Sequence, residues 1–395
     1  VLHYEPFPLT IVGGDGAELT DLDGHRYVDF VGEYSAALFG HSNEVIKAAI
    51  HDALDNGITV GAPTRYEREL AGLLCERFPA LEQVSFCNSG TEANLMALST
   101  ARAVTGRDKI IAFNGGYHGG VIKFLGGVCP LNMPFDFVLA DYNDIDGTAA
   151  VIDEVGDELA GVIVEPILGA GGNIQGNRKF LHMLRDKTTE LGALLIFDEV
   201  KTARLGPAGI QGMLGLHADL TTLGKFIGGG LPTGAFGGSA ELMAQFNPRN
   251  KGALAHAGTF NNNVCTMAAG RAAMGEVYTA QHAAEFLDRS EAFRLSLNDM
   301  FAAKAVPMYA NGLGSMIAIH FNSKPTKRPS DITAGCQSLR PLLHMEMLLD
   351  GVLLCSRGDL FVSLPMEEAH LSKARLVLEK FADRYKPLIE QVLAA

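Results

Sequence analysis

The segment ALLIFDEV, residues 193–200, constrains the fold more than any other. Four apolar residues, Leu194 to Phe197, run straight into two carboxylates, Asp198 and Glu199. A strand of this kind is apolar on both faces, so it must be covered on both. Similar short apolar runs occur in QVSFC, KIIAF, DFVLA, AGVIV and LTTLG. Between several of them lie segments with helical periodicity: 91–106, a stretch near 145–155, and FLHMLRDKTTELG. Strands alternating with helices predict an α/β fold, with a mostly parallel central sheet flanked by helices. After about residue 280 a long helix, three short strands and a terminal helix follow. The N-terminal ELTDLDGHRYVDF reads as a hairpin around Asp23-Gly24. The expected organisation is a large domain over 45–280 and a smaller α+β domain built from 1–44 and 281–395.

Composition removes several function classes. The 395-residue chain has a net charge of −13 and only 19% charged residues. Binding nucleic acid needs a basic face that this balance does not supply. With 47% hydrophobic residues, the surface not covered by charge suggests a large core or a subunit interface. The six cysteines are scattered without a C-x-x-C pair, so neither a zinc site nor a disulfide framework is expected. The opening VLHYEPFPLT lacks the basic start and apolar run of a secretory leader, and no stretch is long enough to span a bilayer. A soluble cytoplasmic protein is the expectation.

Ligands of α/β sheets bind beyond the carboxyl ends of the strands, so the strand-end segments are the places to look. In NSGTEAN, residues 88–94, Ser89, Gly90 and Thr91 stand where a strand becomes a helix. Backbone N–H groups there suit a phosphate, although a plain helix cap uses the same residues. In NGGYHGG, residues 114–120, Tyr117 could stack on a planar ligand. His118 could act as a base or as a supporting hydrogen-bonding group. A buried carboxylate such as Asp198 needs a partner. No convincing set of metal ligands accompanies it, whereas a protonated ring nitrogen would pair with it. Two lysines compete for a nucleophile's role. Lys201 is three residues after Asp198, and Lys225 is 27 residues after it, at the end of the next expected strand. A lysine from a different strand reaches the far side of a ring gripped by Asp198 more naturally, and a desolvated lysine loses its proton readily. Phosphate cradle, aromatic, carboxylate and lysine together describe a site for pyridoxal 5′-phosphate.

The ordered segments NSGTEAN, GGYHG, EPILGAGGN, LLIFDEV and LGKFIGGGLPTGAFGG resemble the class III, pyridoxal-phosphate-dependent aminotransferases of fold type I. The resemblance spans nearly the whole chain. It implies that Lys225 forms the Schiff base and moves the proton, and that Asp198 binds the pyridine nitrogen. Val200 and Tyr117 would face the two sides of the ring, with His118 beside them. Ser89, Gly90 and Thr91 would hold the phosphate, and Glu165 would lie near the ring oxygen. Thr259, in HAGTFNNN, resembles the threonine that reaches the neighbouring subunit's phosphate, which implies a homodimer with shared active sites. Lys201 and Ala203 depart from the commoner residues after DEV.

Within the family the chain is similar to the glutamate-1-semialdehyde aminomutase branch, and HAGTFNNN is similar to the β-amino acid transaminases. The implied reaction moves an amino group from a β-amino acid, an aromatic one, to an α-keto acid such as 2-oxoglutarate or pyruvate. Glutamate-1-semialdehyde 2,1-aminomutase is the alternative, and an ω-amine transaminase a more distant one. Arg357 resembles a mobile arginine that pairs with the substrate carboxylate, although an exposed turn arginine has the same sequence signature. Tyr34 and Ser35 would line the opposite wall. The family's N-terminal substrate arginine has no evident counterpart in this sequence.

Overall fold

The computed structural model describes residues 9–394. The first eight positions of the expected small domain, and its last, lie outside the described residues. The chain divides into two compact units. The larger comprises Glu44–Gly171 and Gln175–Ala284; the smaller comprises the described residues through Asn43, Gly172–Ile174, and the chain from Glu285.

The large unit is built on a seven-stranded sheet. Its spatial order is Gln83–Cys87, Gly234–Gly238, Leu220–Gly224, Leu194–Asp198, Leu159–Val164, Lys109–Phe113 and Asp136–Ala140. The strands Leu194–Asp198 and Leu220–Gly224 are parallel neighbours, with Asp198 in register with Thr222. The strand Gly234–Gly238 runs antiparallel to both of its neighbours. This strand, GAFGG, has none of the β-branched residues that mark the others. Its glycines serve close packing: a Cβ on Gly237 would stand 2.2 Å from the Gln83 carbonyl oxygen, and one on Gly238 2.2 Å from that of Asp219. Phe236 supplies its one large side chain, fully buried in the core.

The helix Gly90–Thr105 covers this sheet. Ser89 caps it by accepting the Glu92 N–H at 3.1 Å, and Gly106 ends it at φ 68°. Ala93, Ala97 and Ala101 recur every four residues, are fully buried, and join Ile163, Ile196 and Leu220 in one core cluster. The small side chains let the helix lie close on the strands, which fixes its N-terminus at their carboxyl ends.

In the small unit, Glu18–Asp21 and Arg26–Asp29 form the hairpin, and Val352–Leu353 adds to it in parallel. Tyr309–Leu313, Met316–His320 and Asp359–Phe361 form a three-stranded antiparallel sheet. Helices Ala334–Leu349 and Glu368–Ala394 pack on each other. Among the described residues, no helix is long and apolar enough to cross a membrane.

Candidate active site

Asp198 ends its strand as a buried carboxylate surrounded by donors. Its Oδ2 accepts the Asn94 side-chain amide at 2.8 Å and the His118 Nδ1 at 2.9 Å; its Oδ1 accepts the Val200 N–H at 3.0 Å. Asn94 is held in turn by the Thr222 hydroxyl, which donates to its Oδ1 at 2.6 Å, and it donates to the His118 carbonyl at 2.9 Å. The carboxylate is therefore satisfied and aimed, as a buried charge must be. His118 is just as buried, and among the described residues its Nε2 has no hydrogen-bond partner. Sequence reading missed Asn94 and Thr222. The only available signal was an amide on the inward face of an otherwise alanine-lined helix.

Glu165 is a second buried carboxylate. It accepts the Tyr117 N–H and the Gly169 N–H, each at 2.9 Å. Burial pushes its carboxyl above the ordinary range, opposed by the nearby His118, and Asp198 reinforces the rise. Lys225 feels both carboxylates: burial lowers its amine, while Asp198 and Glu165 oppose that shift. Lys225 also sits at φ 53°, in the left-handed region that non-glycine residues avoid. Strain of this kind concentrates at functional positions.

Lys201 occupies a different place. A Cβ on Gly169 would stand 2.5 Å from Lys201 Cδ and 3.1 Å from Glu165 Oε2, so Gly169 makes room for the lysine stem beside Glu165. The two lysines are thus distinguished. Lys225 continues from the strand paired with that of Asp198, and Lys201 stands over Gly169.

Ser89, Gly90 and Thr91 open the long helix. A Cβ on Gly90 would collide with Val200 Cγ1 at 2.8 Å, and one on Gly119 with Thr91 Oγ1 at 2.3 Å. These glycines bring the helix N-terminus, Val200 and the NGGYHGG loop together. Tyr117, 39% exposed, has its ring open to solvent. Thr259 is exposed and lines a cleft of about 610 Å³ with Ser85, His256, Phe260 and Asn261.

The structure of the small unit makes its own cluster. Arg357 donates through Nε and an Nη to Asp359 Oδ2, at 3.2 and 2.9 Å, and lies 5.4 Å from the centre of the Tyr34 ring. Buried Asp359 also accepts the Asn173 amide at 3.2 Å. Arg357 is therefore anchored rather than a bare turn arginine. Glu33, Tyr34 and Ser35 have φ of 44°, 53° and 79°, a left-handed turn that costs about 1–2 kcal/mol per residue.

The family profile described as Aminotransferase class-III matches residues 2–380. The chain belongs to this family. It is a transaminase whose cofactor is pyridoxal 5′-phosphate, and its fold is that of the fold-type I enzymes. The chain is 47% identical over 389 residues to the beta-phenylalanine transaminase of Variovorax paradoxus, covering 98% of this chain and 89% of the relative. The solved structure of the beta-phenylalanine aminotransferase from Variovorax paradoxus matches with a TM-score of 0.96, over 98% of this chain and 90% of that one, at 47% identity. Glutamate-1-semialdehyde 2,1-aminomutase 1 of Staphylococcus epidermidis is 38% identical over 356 residues, 86% of this chain and 83% of the relative.

Proposed function

We propose that the enzyme transfers the amino group of a β-amino acid, an aromatic one such as β-phenylalanine, to an α-keto acid such as 2-oxoglutarate or pyruvate. The similarity to the Variovorax paradoxus enzyme over 98% of the chain carries this reading.

The residues present fit the cofactor. A carboxylate suits its ring nitrogen, a helix N-terminus its phosphate, a desolvated amine its aldehyde, and the unpartnered, buried His118 Nε2 is an atom that a bound group can satisfy. Bound there, the cofactor supplies an electron sink. In this reading Asp198, oriented by Asn94 and His118, keeps the ring nitrogen protonated. Val200 and Tyr117 take the two ring faces. Ser89, Gly90 and Thr91 hold the phosphate, and Glu165 stands on the ring-oxygen side. Lys225 would hold the cofactor through its amine, and that amine, when free, would be the base that carries a proton from the substrate carbon to the cofactor carbon that receives the amino group.

Arg357 binds the substrate carboxylate in this reading, with Tyr34 and Ser35 beside it. Its anchoring by Asp359 pre-pays the entropy of fixing a long side chain. Arg357→Ala then raises KM for the β-amino acid about tenfold or more, with kcat changed less. Initial rates over a range of donor concentrations check this.

The reading includes a homodimer in which Thr259 reaches the neighbouring subunit's phosphate. Phe260, 60% exposed, and the exposed Ile58 and Val60 around the same cleft support it. A cytoplasmic location belongs to it as well, in keeping with six free cysteines.

The test supplies β-phenylalanine with 2-oxoglutarate, and glutamate-1-semialdehyde separately. Glutamate formed in the first reaction is the expected result. Its absence, with 5-aminolevulinate formed in the second, makes the enzyme an aminomutase instead.

A further inference from the structure

A hydrogen-bonded chain runs through the large unit from the cleft of Thr259 to the start of the long helix. Ser85 Oγ lies 2.7 Å from His256 Nδ1, and Asn261 Nδ2 lies 3.3 Å from His256 Nε2. Asn88 Nδ2 donates to Asn261 Oδ1 at 2.9 Å and to Glu92 Oε2 at 3.2 Å. The same Glu92 oxygen accepts the Asn88 backbone N–H at 2.7 Å. All five residues belong to the large unit.

The direction of every link follows from the carboxylate at one end. Glu92 can only accept, so the Asn88 amide must present its NH₂ group. That group's second hydrogen needs an acceptor, which fixes the Asn261 oxygen toward Asn88. The Asn261 NH₂ then faces His256 Nε2, which must offer a lone pair. His256 is therefore the neutral tautomer with hydrogen on Nδ1, donating to Ser85 Oγ. Its ring is packed edge-on by Phe236 and Phe246, with centroids 5.3 and 6.4 Å away. Burial holds its titration below the ordinary 6.5, and Glu92 opposes that shift. Among the described residues, Glu67 and Arg68 are the other charged groups lining this cleft.

We propose that His256 is a positioning residue: through Asn261 and Asn88 it ties the 256–263 loop to the N-terminus of the Gly90–Thr105 helix and so holds the phosphate cradle in shape. The inference rests on the reading of Ser89, Gly90 and Thr91 as that cradle. Asn88 is the residue immediately before Ser89, and Glu92 is the residue whose N–H Ser89 caps. Both ends of the cradle are thus held by the chain that ends at His256. Adding a proton at Nε2 would set two donors face to face, and the alternative flip of Asn261 would do the same at Asn88. The tie is intact while His256 is neutral and is lost as pH falls through its titration.

Cofactor release from the holoenzyme, followed by loss of its visible absorbance, measures the tie. His256→Phe keeps the ring packing and removes both bonds; it should speed release about tenfold at neutral pH, the loss of one net hydrogen bond. Asn261→Asp replaces the donor facing Nε2 with an acceptor. The imidazole resonances of His256, assigned by their absence in His256→Phe, should then titrate above 6.5, whereas in the parent they titrate below it. A folded His256→Phe with the parent's melting temperature and release rate overturns the proposal, as does an Asn261→Asp variant whose His256 titration has not moved. A protein that binds no pyridoxal 5′-phosphate contradicts the cradle itself. The imidazole titration, read without cofactor, tests the chain of bonds independently of that result.

Discussion

Lys225→Ala abolishes the cofactor's covalent attachment, and with it the visible absorbance of the bound form, and lowers turnover by at least about 10³-fold, whereas Lys201→Ala stays within about tenfold of the parent. The difference follows from where the two amines stand. Lys225 leaves the strand Leu220–Gly224, which is hydrogen-bonded beside the strand that ends in Asp198. Its backbone is held at φ 53°, and its amine is desolvated between two carboxylates. Desolvation favours the neutral nucleophile, and the carboxylates keep that shift from running too far. Lys201 lies over Gly169, with its stem beside Glu165. Absorbance spectra and steady-state rates of the two variants separate the roles. Retained activity in Lys225→Ala with loss in Lys201→Ala reverses the assignment.

Asp198→Asn is the second large effect. Every group hydrogen-bonded to this carboxylate through its oxygens is a donor: Asn94, His118 and the Val200 N–H. An amide has one oxygen and one NH₂, so at least one of these bonds becomes a clash of donors. The residue also loses the charge that, in the proposed reading, would keep the cofactor's ring nitrogen protonated. kcat should fall by about 10²–10³-fold, the scale on which a preorganised electrostatic partner acts. KM should change little, because the loss is felt mainly in the transition state. Asn94→Ala leaves the charge but loosens its orientation, and should cost about tenfold. Rates at saturating donor concentration distinguish the two.

The strands that sequence made legible are those with apolar residues on both faces, such as Leu194–Asp198 and Leu159–Val164. Their carboxyl ends pointed to Asp198 and Lys225 because a buried charge at a strand end demands an explanation. Gly234–Gly238 was not legible, because its glycines are selected by the approach of the Gln83 and Asp219 carbonyls, which local pattern does not record. Gly228 and Gly229, after Lys225, are of the same kind: a Cβ on Gly228 would meet Thr233 and one on Gly229 would meet Ala269, so packing within this chain requires them. The orienting residues Asn94 and Thr222 were equally hidden. Each is an ordinary polar residue in its own segment, and only the fold brings Thr222 to Asn94 and Asn94 to Asp198. The same holds for Asp359, whose grip on Arg357 spans two residues of a turn yet depends on its burial.

In the proposed reading the cofactor is held at the junction of the Asp198 and Lys225 strands. Reducing the holoenzyme with borohydride, digesting it, and locating the cofactor-tagged peptide by mass spectrometry tests this directly. The tag should fall on Lys225, within TTLGKFIGGG. A tag on Lys201, or none on either lysine, would contradict this placement.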